Sequence, residues 1–200
     1  MPKTIFRKLA YLPLLGLTLT PLASASSPVS IVNGMECQAW NFEAEANNLL
    51  KEIKSLTGKL NTDAATLESY KCQRQLSWQT HAHQLTKTRE HINAIGERLD
   101  RLQAIKSELT MWQQQAVGQI ASVAANVAAH TQAAIQHLNE NRTYLFSPVY
   151  AEHLTSIADR STELKESADL FLELGDTSDK LDHMQNKLDR LQERIGLSES

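Results

Sequence analysis

The chain is poor in the residues that interrupt helices. It has five prolines and seven glycines in 200 residues, and past Pro28 the only proline is Pro148. Sandwiches and barrels need turn signals every few residues, so this scarcity excludes most all-β architectures. Two cysteines are too few for a disulfide-dense scaffold or a thiolate zinc site. Beyond the first 25 residues no apolar run approaches the roughly 20 residues that a conventional membrane-spanning helix requires. Glycine-rich phosphate loops, Gly-x-Ser-x-Gly turns and paired Cys–His arrangements are all missing, so the sequence gives no basis for an enzyme or a bound cofactor. No basic cluster is denser than Lys71–Arg74 or Lys87–Arg89, and the formal net charge is −3. Such a surface repels nucleic acid and anionic lipid.

What is present begins with an export pattern. Lys3, Arg7 and Lys8 form a basic start, Leu9–Leu19 is an apolar run, and Ala23-Ser24-Ala25 supplies small residues at a cleavage point. Pro13 and Gly16 interrupt the run and Pro21 follows it, and it is short for a membrane anchor. The pattern predicts a signal peptide over 1–25 and a mature protein, periplasmic or at the cell surface, starting near Ser26. Loss of those three cations leaves 17 basic against 23 acidic residues, a net charge of −6. In an oxidising compartment Cys37 and Cys72 are a disulfide candidate.

Residues 26–36 read as an irregular lead and 37–141 as a long helical hairpin. The first helix carries Trp40, Ala44, Ile53, Leu56 and Leu60, with a turn expected at Thr57-Gly58 and Asn61-Thr62-Asp63. From Ala64 to Asn141 the apolar series includes Leu85, Ile92, Ile95, Leu99, Leu102, Ile105, Leu109, Trp112, Ala116 and Ile120, at steps mostly of three or four. Unbroken, that helix would be on the order of 110 Å long. Gly96 and Gly118 are the places where it could break. The stretch Arg142–Tyr150 reads as a break, with Ser147-Pro148 as a helix start. Residues 142–200 then hold C-terminal helices, with a second break at Gly175-Asp176-Thr177-Ser178 and a heptad tail, Leu181, Met184, Leu188, Leu191 and Ile195. The fold class is all-α, an elongated antiparallel helical bundle or coiled coil with one very long helix.

Tyr144, Phe146 and Tyr150 at the aromatic break either plug the end of a bundle, the commoner fate of large apolar groups, or form an exposed patch; with the five apolar residues of the tail they are the contact candidates. Two heptads are too short to stand alone, so the tail should dock on its own bundle or on another chain. The Ala-rich segment 116–135 reads as close-packed core, and its polar residues, among them Gln119, Asn126 and His130, oppose membrane insertion. Seven histidines are present, but His81 and His83 point to different helix faces, and His130 and His137 lie about two turns apart. No metal site follows from that spacing.

The layout resembles the minor-pilin family of type IV secretion and conjugation systems. The residues that carry the likeness are the signal ending Ala23-Ser24-Ala25, the lead Pro28-Val29-Ser30-Ile31-Val32-Asn33 and the long Gln- and Ala-rich helices that follow. The resemblance is one of organisation and transfers no functional residue. It implies assembly at a pilus tip, contact with recipient cells, and envelope or secretion-system proteins as partners. The expected function is non-enzymatic and works through protein–protein contacts, with a homo-oligomer as one form of it. A membrane-active helical protein and a periplasmic chaperone-like clasp are the alternatives.

Overall fold

The computed structural model describes residues 42–196. The expected signal peptide, the lead over 26–36 and Cys37 lie outside them. Within them the chain is all-α: α1 is Phe42–Ser69, α2 Trp78–Ala104, α3 Met111–Glu140 and α4 Pro148–Gly196. Single 3-10 turns at Tyr70–Cys72 and Lys106–Glu108 sit in the first two connections. α1 packs on α2 and α4, and α3 packs on the same two. Short connections between neighbours make successive helices antiparallel around one core.

The core follows from apolar spacing. In α1 the buried residues Ala46, Leu50, Ile53, Thr57, Leu60, Ala64 and Leu67 step by four and three without a miss, which keeps one stripe inward. That regularity explains why the turn expected at Gly58 and Asn61–Asp63 does not form. A lone glycine costs a helix only about 1 kcal/mol relative to alanine, less than the burial of Leu60 and Leu67 returns. The polar residues there serve neighbouring helices instead. Asp63 accepts Gln84 Nε2 at 3.0 Å, and Asn61 Oδ1 accepts the Thr162 hydroxyl at 2.9 Å.

The single helix expected over 64–141 is instead the end of α1, then α2 and α3, broken at 70–77 and again at 105–110, and neither Gly96 nor Gly118 is a break. The chain turns at Ile105–Thr110, where Ile105 and Leu109 remain buried. Their spacing continues the helical series, which hides the turn from periodicity. Thr110 and Gln113 form a capping box that starts α3, and Gln113 Nε2 also donates to Asn47 Oδ1 at 2.8 Å. The Ala-rich segment is the inner face of α3, burying Ala116, Val117, Ile120, Val123, Ala124 and Val127. No described helix is long and apolar enough to cross a membrane.

The break expected at Gly175–Ser178 is also absent, and α4 runs through it for 49 residues. Gly175 is buried and packs against the Trp112 indole: a Cβ there would lie 2.6 Å from Trp112 Cη2. This glycine permits close approach rather than ending the helix. The start at Ser147-Pro148 forms as expected, with Tyr150 N–H donating to Ser147 Oγ at 3.1 Å.

Candidate contact surfaces

α4 is far longer than its neighbours, and Trp112, near the start of α3, marks where they stop. From Asp176 to Arg194 only Ser178 is partly covered and every other residue is exposed. About 20 residues, roughly 30 Å of helix, therefore project beyond the bundle. Along this arm Leu181, Met184, Leu188 and Leu191 are 45–58% exposed. They follow the three-four alternation of a coiled-coil seam, and Ile195 continues it by position. The arm does not dock on its own bundle.

Nor is its stripe the bundle seam carried onward. The buried face of α4 runs Leu154, Ile157, Ser161, Leu164, Ala168 and Gly175. Prolonged at the same spacing, it would reach Ser178, Asp182, Gln185 and Asp189, all polar. The apolar stripe lies one residue earlier, about 100° around the helix. It starts within the bundle at Leu170, which is 64% exposed, and Leu174. One heptad further back the same face carries Ser167, Glu163 and Arg160, with Arg160 Nη1 donating to Glu163 Oε2 at 2.6 Å. The stripe thus has a polar boundary and runs from Leu170 to the end of the arm. Leu174 follows Leu164, Ala168 and Phe171 at helical spacing, so spacing alone would place it inward.

The aromatic break at the opposite end divides. Tyr144 and Phe146 are exposed, and Val149 joins them. Tyr150, expected among the contact candidates, is 1% exposed and plugs the bundle. Its hydroxyl faces His81 Nδ1 at 3.0 Å, and His137 stacks on its ring at 5.3 Å. Burial pushes the Tyr150 phenol well above its ordinary value and holds the His81 imidazole below its own. The His81 Nε2 atom is buried without a hydrogen-bond partner, which adds to the cost of charging the ring. His153 is also lowered, by burial first and then by His130, whose Nδ1 lies 3.4 Å from its own.

Ser147 Oγ and His137 Nε2 are 2.9 Å apart, within reach of a nucleophile–base pair. Ser147 is buried, and its oxygen already accepts the Tyr150 amide. The pair therefore locks the first turn of α4. Among the described residues no group of three His, Cys, Asp or Glu side chains is placed to hold a metal ion. Cys72 is exposed in the turn after α1 and forms no disulfide among the described residues; the Cys37 half of the expected pair lies outside them.

Compared with protein families, with curated proteins and with solved structures, the chain matches none.

Proposed function

We propose that this chain is a non-enzymatic exported helical protein that works through protein–protein contacts, as a minor-pilus or assembly component of a bacterial type IV secretion or conjugation apparatus. One observation carries the contact reading: a row of half-exposed leucines and a methionine at heptad spacing on a helix that leaves its own bundle. Apolar surface arranged this way in a water-exposed arm is costly unless another helix covers it. The coiled-coil element of the fold belongs to this arm, in place of the helix first expected over 64–141. Export and the apparatus rest on the basic-apolar-small pattern of the first 25 residues and on the organisation of the chain.

The test is chemical crosslinking in the source cell envelope, followed by purification of the mature protein and mass spectrometry of what is attached. Recovery with pilus or secretion-channel subunits is expected. Recovery from the cytosol with its first 25 residues intact would contradict export, and recovery with unfolded clients would favour the chaperone reading.

A further inference from the structure

We infer that the arm of α4 is one strand of a parallel two-stranded coiled coil, and that the other strand is the arm of a second copy of this chain. The inference rests on the contact reading above and names its partner. Leu174, Leu181, Leu188 and Ile195 occupy the a positions of the stripe, and Leu170, Thr177, Met184 and Leu191 the d positions. That is close to four heptads, a length at which coiled coils hold. The bundle fixes α4 as a helix up to Gly175, so the arm does not have to nucleate its own first turn.

The width of the stripe sets the number of strands. Flanking e positions are Phe171, Ser178, Gln185 and Gln192, and flanking g positions are Glu173, Lys180, Lys187 and Arg194. Beyond Phe171 the stripe is strictly a/d with polar flanks, the seam of a two-stranded assembly; broader apolar faces build larger bundles.

Charge sets the direction. In an antiparallel pair g faces g, so Lys180 and Lys187 of one copy meet cations of the other, and only Glu173 offers Arg194 a carboxylate. In a parallel pair g faces the e position five residues on, so Lys180 meets Gln185 and Lys187 meets Gln192. Only the parallel arrangement avoids stacking like charges. It brings the two bundles side by side at one end, where Leu170 and Leu174 extend the contact and the Arg160–Glu163 pair ends it.

Sedimentation equilibrium of the full chain, expressed with its own leader and purified as exported, tests this at low salt. A reversible dimer is expected. Gln185→Glu with Gln192→Glu should tighten it about tenfold by giving each cation a carboxylate, and Gln185→Lys with Gln192→Lys should weaken it about tenfold. Both pairs of changes keep good helix formers. Leu188→Glu should give a monomer whose thermal melt matches that of the wild-type monomer, because Leu188 lies outside the bundle. A wild-type chain that is monomeric at every concentration overturns the inference, as does a dimer that survives Leu188→Glu. A dimer weakened by the Glu and the Lys changes alike has e facing e, is antiparallel, and overturns it too. A monomeric wild type whose attachment to envelope subunits is lost in Leu188→Glu would sink self-association and leave the contact reading standing.

Discussion

Replacing Gly175 by alanine should destabilise this protein, although alanine is the better helix former. Two effects of similar size oppose each other. Within a helix alanine is favoured over glycine by about 1 kcal/mol. The added methyl, however, would sit 2.6 Å from Trp112 Cη2 and 2.7 Å from Cζ2. An indole is rigid, so relief requires the whole side chain or the α3–α4 contact to move, and overpacking of this kind costs about 1–3 kcal/mol. The net expectation is a loss of about 1 kcal/mol, or roughly 3 °C in Tm for a chain of this size. Trp112→Ala removes the ring, and in that background only the helix preference remains. Gly175→Ala should then stabilise by about 1 kcal/mol, a coupling of about 2 kcal/mol across the double-mutant cycle. Urea unfolding followed by far-ultraviolet circular dichroism reads all four proteins without relying on tryptophan emission. Stabilisation by Gly175→Ala in both backgrounds would refute the packing of Trp112 on this helix, and with it the point at which α4 leaves the bundle.

Gly118 has nothing within 4 Å of a Cβ position and lies on the exposed side of α3, so Gly118→Ala should stabilise by up to about 1 kcal/mol; an unchanged or lower urea midpoint would count against an uninterrupted α3. Stability should also fall with acid. Burial lowers the folded-state pKa of His81, which faces Tyr150 and Tyr70. The unfolded chain therefore takes up a proton, near pH 6.5, that the folded one refuses. The stability is complete above that pH and declines as pH falls from it toward the lower folded value, by at most about 1.4 kcal/mol per pH unit for each such group. His153 acts in the same direction. Thermal melts from pH 8 to 5 should show the decline, and His81→Gln should remove part of it; a flat wild-type profile would contradict the buried neutral imidazole.

The helical class and the inward stripes of α2 and α3 were legible because apolar spacing in a bundle is imposed by the core itself. The turns were less legible. Loop residues Ile105 and Leu109 fill the bundle end at helical spacing, so periodicity runs across a real break, and the Thr110–Gln113 capping box was the signal that marks it. Conversely, Gly58 and Gly175 look like stops yet sit inside helices, one because an unbroken stripe outweighs its cost and the other because Trp112 needs the space. The His81–Tyr150 contact joins residues 69 apart, which no local pattern reports. The heptads of the arm were plain in the sequence, but spacing reveals an apolar face without revealing whether the chain's own helices reach it. Here the described helices beside α4 end at Trp112.

The most direct measurement places a photo-crosslinking residue at Leu188, on the stripe, and separately at Glu193, on the opposite face, in cells that assemble the protein. The arm as a contact helix predicts a strong adduct from position 188, with a second copy or an envelope subunit identified by mass spectrometry, and little from position 193. Equal adducts from both positions, or none from 188 in the assembled state, would contradict it.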